Sequence, residues 1–397
     1  MKSNYDVLGN YIRLIDTRNK DNVTNKVLGI SIEKFFMPSV ANVIGTDLSK
    51  YKLITKGKFA CNPMHVGRDE RLPIALYEDD EPALVSSAYF MFEIINNTVL
   101  DENYLMMWFR RAEFDRICWL HTDGSVRGGI TWDDICRMEL PVPDIGGQRK
   151  IVEVYKIVER RIELKRRIND NLVEIANTLF SKFFIANEEK KTWEEGSFSQ
   201  MLIDTVGGDW GQETRSGNYV CEVSCIRGTD IPALNLGSIS DAPTRYILEK
   251  NFNTKKICSN NMVVEISGGS PVQSTGRIAL VPEQILTYRG SNIICSNFCR
   301  VLKVNKDYLY FFLQNWLYLY RNGVMFNYEN SSTGLKNFNF NAFTEDYTIL
   351  IPPKELSIKF NTLIEPIYKE IFNIGFEIKH LQSTLEHILP RIMWGGI

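Results

Sequence analysis

Two pairs of polar loops hold the side chains best suited to recognition. The first pair is Asn62-Pro63-Met64-His65-Val66-Gly67-Arg68-Asp69-Glu70-Arg71 with Gly124-Ser125-Val126-Arg127-Gly128-Gly129. The second is Ser267-Gly268-Gly269-Ser270-Pro271-Val272-Gln273-Ser274-Thr275-Gly276-Arg277 with Ser331-Ser332-Thr333-Gly334-Leu335-Lys336-Asn337. Arginine, glutamine and asparagine match the hydrogen-bonding edges of bases, whereas serine, threonine, lysine and glycine N–H groups suit phosphate oxygens. The expected contacts are Asn62, His65, Arg68, Arg71, Ser125 and Arg127 in the first pair. In the second they are Ser270, Gln273, Thr275, Arg277, Thr333, Lys336 and Asn337. Any one such loop reads equally well as plain polar surface. Their recurrence at matching places in two halves of the chain favours binding.

Bond-making chemistry lacks its usual residues. There is no GxxxxGK[ST] phosphate loop. No acidic or amide residue precedes Pro-Pro and an aromatic, the arrangement that holds a flipped base in amino-methyltransferases; Ile351-Pro352-Pro353-Lys354 fails at both ends. A nuclease-like set of Pro143, Asp144, Glu188 and Lys190 is split by a long helix, and Asp144 is better placed as a helix N-cap. His380 and His387 lie one heptad apart on a helix flank, as a solvated pair would, and His65 and His121 are isolated. Cys221 with Cys225 and Cys295 with Cys299 fall in strand-like runs, where such spacing shares a face without converging on a metal. No catalytic residue and no metal site are expected.

The loops must be carried by a repeated frame. From Ile151, steps of four and three give Ile151, Tyr155, Val158, Ile162, Lys165, Asn169, Leu172, Ala176, Leu179 and Phe183. Moving 209 residues on, from 151 to 360, gives Phe360, Ile364, Ile367, Ile371, Ile374, Ile378, Leu381, Leu385, Ile388 and Ile392, all apolar. These spacings predict two long amphipathic helices, each following a proline-led strand end. Each of roughly 35 to 40 residues would span about 50 to 60 Å. Antiparallel pairing would bury both seams, setting Ile151 near Ile392 and Lys165 and Asn169 opposite Ile378 and Ile374. At the two polar seam positions, either Leu164 and Ile168 rotate in or the pair fixes register or meets a partner. A kink or break is expected at Pro366.

The blocks between the helices share further matches: Ile74, Ala75 and Leu76 with Ile278, Ala279 and Leu280; Tyr104 and Leu105 with Tyr308 and Leu309; Ile130, Trp132 and Ile135 with Phe338, Phe340 and Phe343. Lys58 to Cys61, Ala83 to Ile95 and Ile130 to Leu140 are β-prone, and helices are predicted from about Glu102 to Trp119 and near Tyr308 to Tyr320. The fold class is therefore α+β, with a pseudo-two-fold internal repeat of two globular domains joined by two long antiparallel coiled-coil helices. The boundaries fall at 1–142, 143–187 (first helix), 188–350 and 351–397 (second helix).

With 397 residues, 44% hydrophobic and 24% charged, and a net charge of −2, the composition is that of a two-domain globular protein without an overall basic character. The expected location is cytoplasmic, because no signal-like or membrane-spanning run is present. Eight scattered cysteines without framework spacing are expected as reduced, mostly buried thiols.

The order of block, Leu-Pro-x-Pro, Gln-x-x-Ile helix ending in Leu-Phe-x-x-Phe, second block, Ile-Pro-Pro and second helix resembles the specificity subunits of type I DNA restriction-modification enzymes. The residues concerned are Leu140, Pro141, Pro143, Gln148, Ile151, Leu179, Phe180 and Phe183, then Ile351, Pro352 and Pro353. This chain departs from the family's pattern at Gly147, where Glu is common, and at Ser357, where the second Gln would stand. The resemblance implies two target-recognition domains, each reading half of an interrupted double-stranded DNA sequence. It implies helices that set the gap and dock two methyltransferase subunits, with Lys165, Asn169, Ile371, Ile374 and Ile378 as spacer and docking residues. S-adenosylmethionine, ATP and Mg would sit on the methyltransferase and motor-nuclease partners, this chain holding no cofactor. A coiled-coil adaptor joining protein ligands is the alternative, told apart by a neighbouring reading frame that carries the missing methyltransferase motif.

Overall fold

The structure is a computed structural model. It describes all residues except 1–4, 40–44, 65, 123–127, 239–241, 271, 291, 333–334 and 396–397, and leaves aside the side chains of 289, 331–332, 335 and 388–395. The chain forms two compact units, residues 1–160 with 382–397 and residues 161–381.

The first unit is built on strands β1 (Tyr5–Val7), β2 (Ile12–Leu14), β3 (Phe59–Cys61), β4 (Ile74–Leu76) and β5 (Phe90–Ile94). Helices α1 (Glu102–Phe109), α2 (Ala112–Leu120) and α3 (Trp132–Arg137), strand β6 (Glu139–Pro141) and the start of α4 (Ile145–Phe180) follow. The central sheet runs β2-β5-β3-β4, all antiparallel, and β1 pairs with β6. The single helix expected over 102–119 is two, because Arg111 takes an extended backbone between α1 and α2. That turn brings Trp108, Phe109 and Phe114 together, with ring centroids about 5 Å apart. The run 130–140, read as β-prone, is mostly helix: Thr131 and Asp134 form a reciprocal capping box that starts α3.

The second unit repeats this plan. Strands β7 (Glu194–Gly196), β8 (Leu202–Gly207), β9 (Asn261–Glu265), β10 (Ser267–Gly268), β11 (Ile278–Val281) and β12 (Cys299–Val304) precede helix α5 (Leu309–Arg321). Then come β13 (Glu329–Ser332), β14 (Leu335–Phe338), α6 (Phe340–Asp346), β15 (Ile349–Ile351) and α7 (Lys354–Gly395). Its central sheet runs β8-β12-β9-β11, again antiparallel, and β7 pairs with β15 as β1 does with β6. Register repeats too. Phe59 faces Leu76 and Phe92, and Met262 faces Leu280 and Leu302. The sequence matches at 74–76 and 278–280, and at 132 and 340, fall on equivalent strands and helices.

Both long helices form, with 36 and 42 residues. In the second unit they run antiparallel: Lys165 Nζ meets Glu377 at 2.7 Å, Asn169 Nδ2 donates to the Ile371 carbonyl at 3.2 Å, and the Phe183 and Phe360 rings lie 5.5 Å apart. In the first unit Ile151, Val152 and Tyr155 of α4 enter the core, with Leu385 of α7 packed on it. The expected neighbour of Ile151, Ile392, lies outside the described side chains. No break occurs at Pro366. The proline is exposed, so water can satisfy the Thr362 carbonyl that loses its amide partner.

Of the two options at the seam, the polar pair turns in, while Leu164 and Ile168 stay about half exposed. Asn169 is buried, and its amide donates to the carbonyls of Leu236 (2.7 Å) and Ile371. The Lys165 ammonium holds the Glu377 carboxyl below its usual range, with Arg161 adding to it and burial opposing. Asn169 is thus an internal tie through its Nδ2 group. Ile371 and Ile374 are buried in the same seam, with Ile378 half-buried.

Candidate nucleic-acid interface

In each block the two expected loops meet. In the second block, β10 pairs with β14, setting Ser267 opposite Asn337 and Gly268 opposite Lys336, and β13 completes a three-stranded sheet. Glycine is required at 268 and 269. Their φ angles are +144° and +73°, and a Cβ on Gly268 would lie 2.5 Å from the Glu265 carboxylate. Helix α5 braces the loop from beneath, as Trp316 Nε1 donates to the Gly276 carbonyl (2.7 Å) and Tyr320 OH to that of Ser274 (3.0 Å).

Beneath the rim lie two charged ties. Arg277 grips Glu265 through two nitrogens, at 2.8 and 2.5 Å, and Thr275 gives both its N–H and its hydroxyl to Glu329. Lys336 reaches the other Glu329 oxygen at 2.9 Å. Burial alone would raise the Glu329 carboxyl, but Lys336 and Thr275 hold it below its usual range. Thr275 is fully buried, and the Arg277 side chain is 13% exposed. Both expected contacts brace the loop from within: the Thr275 hydroxyl is spent on Glu329, and Arg277 holds Glu265 through Nε and Nη2.

The rim itself shows Ser270, half-buried, and Gln273, exposed. Asn337 accepts a hydrogen bond from the Ser267 hydroxyl (2.6 Å). Lys336 stands over the exposed Phe326 ring at 4.9 Å. Thr333 lies outside the described residues.

In the first block the loops touch through main chain: Gly67 N–H donates to the Gly128 carbonyl and Ile130 N–H to that of Pro63, both at 3.1 Å. Asn62 turns its loop by accepting from the Met64 N–H (3.1 Å). Arg68 pairs with Asp69 and Arg71 with Glu33 in exposed ion pairs, which cost little to exchange for a phosphate. His65, Ser125 and Arg127 lie outside the described residues.

Two features escaped the sequence reading. Val272, apolar amid a polar and glycine-rich run, stands 90% exposed at the rim, and Met64 is exposed in the first block. Asn361 accepts from the Tyr310 N–H (3.3 Å) and donates to the carbonyls of Lys306 (2.9 Å) and Asp307 (3.0 Å), fastening α7 to its block. The run Ser-Pro-Val-Gln was a visible signal for the first, since an apolar residue at a loop tip has no core to enter. Nothing local signalled the second.

Among the described residues no group of three or more His, Cys, Asp or Glu side chains is arranged to hold a metal ion. Asp144 caps α4, accepting from the Gly147 N–H at 3.0 Å. His380 and His387 are exposed on α7. The eight cysteines are free thiols, five of them buried; burial pushes Cys225 and Cys299 up to about 12. Among the described residues no helix is long and apolar enough to cross a membrane.

No family model matches the chain. It is 23% identical to the MjaIX type I restriction enzyme specificity subunit of Methanocaldococcus jannaschii over 348 residues, 82% of this chain and 76% of that one. Over 154 residues, 38% of this chain and 33% of the other, it is 26% identical to the HindI type I restriction enzyme specificity subunit of Haemophilus influenzae. Its fold is similar to the crystal structure of the type I restriction-modification system S subunit from M. genitalium, with a TM-score of 0.57 at 13% identity, covering 99% of this chain and 96% of that one. In sequence and in fold the chain resembles type I specificity subunits.

Proposed function

We propose that this chain is the non-catalytic, DNA-reading specificity subunit of a type I restriction-modification complex. Each block reads one half of an interrupted double-stranded target. The observation that carries this is the repetition: one four-stranded frame occurs twice, and each copy brings a pair of polar loops into contact. The rims differ in residues while the frames agree, which suits two grips on two different half-sites.

Half-buried Ser270 and exposed Gln273 in one block, and half-buried Asn62 with exposed Arg68 and Arg71 in the other, supply base-edge and phosphate contacts. A net charge of −2 fits a reader whose partners share the phosphate grip. The long helices act as spacer. Along α4, Leu164, Ile168 and Ile175 stay exposed at steps of four and seven, an apolar stripe suited to a docked methyltransferase helix. S-adenosylmethionine belongs to those two methyltransferase subunits, and ATP and Mg to motor-nuclease subunits.

Long-read mapping of methylated adenines in cells expressing this chain with its partners tests the proposal. A two-part motif with a fixed gap is expected; a continuous motif, or none, overturns it.

A further inference from the structure

We propose that Val272 reads the C5 methyl group of a thymine in the half-site recognised by the second block, beside Gln273. This rests on the proposed function and names one of its contacts. Among the described residues, no other large apolar side chain is as exposed as Val272. Single exposed apolar residues are ordinary, but this one has company and support. Phe298 and Phe326 are also exposed on this rim; the Phe298 carbonyl accepts from the Ile266 and Ser267 N–H groups, and Lys336 lies over Phe326.

The support is main chain. Ser270 and Gln273, on either side of Val272, bond each other in both directions, at 2.9 and 3.2 Å. The ties from Trp316 and Tyr320 fix the loop that follows. Val272 is therefore held in water by a braced loop, next to an exposed amide. In the major groove the thymine methyl is the apolar group on the base edges, and glutamine pairs with adenine at N6 and N7. An apolar side chain set beside a glutamine suits an A·T-containing step. Met64, exposed in the first block's loop, shows the same kind of placement.

The test uses the chain assembled with its methyltransferase partners and duplexes carrying its mapped target. Exchange of residues 188–350 first shows which half-site the second block reads. Thymines of that half are then replaced singly by uracil, which removes only the methyl. Wild-type complex should bind one uracil duplex about fourfold more weakly, the worth of one methyl-sized group taken from water. Val272→Ser should bind the thymine and uracil forms equally. A wild-type complex indifferent to uracil throughout that half, a half-site without thymine, or a retained preference in Val272→Ser overturns the inference and leaves the two-part reading standing. Failure to bind any two-part target overturns both.

Discussion

In the first block Gln148 fastens the start of α4: its side chain, fully buried, accepts from the Asp101 N–H (2.9 Å) and donates to the carbonyls of Val99 and Pro143 (both 2.8 Å). In the second block the corresponding position is Ser357, equally buried, whose hydroxyl finds no partner among the described residues. There Asn361, one turn further along α7, takes over with the same pattern of one bond accepted and two donated. A helix end near a loop leaves main-chain groups that must be satisfied. An amide answers that need from either turn. What repeats between the halves is the requirement, not the residue.

Exchanging residues 188–350 for the block of a relative bears hardest on this comparison. If the blocks are separate readers on equal frames, methylation mapping should show one half of the target replaced and the other retained; a change in both halves breaks the equivalence.

Next in size is Ile371→Asp with Ile374→Asp, which sets two charges in the buried seam. A loss of at least about 3 to 5 kcal/mol is expected in urea unfolding, with loss of methyltransferase assembly. Unchanged assembly would move the seam elsewhere.

Gln148→Ala and Asn361→Ala sharpen the contrast between the two docks. The first removes a fully buried side chain and strands three main-chain groups at part-buried bonds, and should cost about 2 to 3 kcal/mol. The second lies at a partly exposed site where water can substitute, and should cost about 1 kcal/mol. Equal losses would show that the two docks weigh the same. Smallest is Ser357→Ala, expected to leave stability unchanged or raise it by up to about 1 kcal/mol, because it removes an unsatisfied buried hydroxyl. A clear loss in thermal unfolding would reveal a partner for that oxygen.

The frame was legible because it is written twice. The 209-residue offset marked out both helices, whose antiparallel course holds in the second unit although Asn169 meets Ile371 rather than Ile374. The matches at Ile74 and Trp132 fell on equivalent elements. Contacts remote in sequence were not legible. The pairing of Ser267 with Asn337 joins segments 70 residues apart. The burial of Thr275 and Arg277 depends on Glu329 and Glu265, which no spacing links to them. Local chemistry misled at 130–140, where β-prone residues were overruled by the capping box of Thr131 and Asp134. It misled also at Arg111, which divides the helix expected over 102–119, and at Pro366, where no break occurs. The rim residues were legible as types; which of them face outward was decided by those ties.

The junction around Asn169 has a mechanical consequence. Gly375 of α7 lies so close to Gly237 that a Cβ there would stand 1.8 Å from the Gly237 carbonyl oxygen, and Asn169 bonds carbonyls on both segments. Where two main chains touch, no rotamer can take up slack. Sliding of the loop on the helix would pull the two carbonyls that share the Asn169 amide apart and cost at least one of its bonds, so this joint has little compliance.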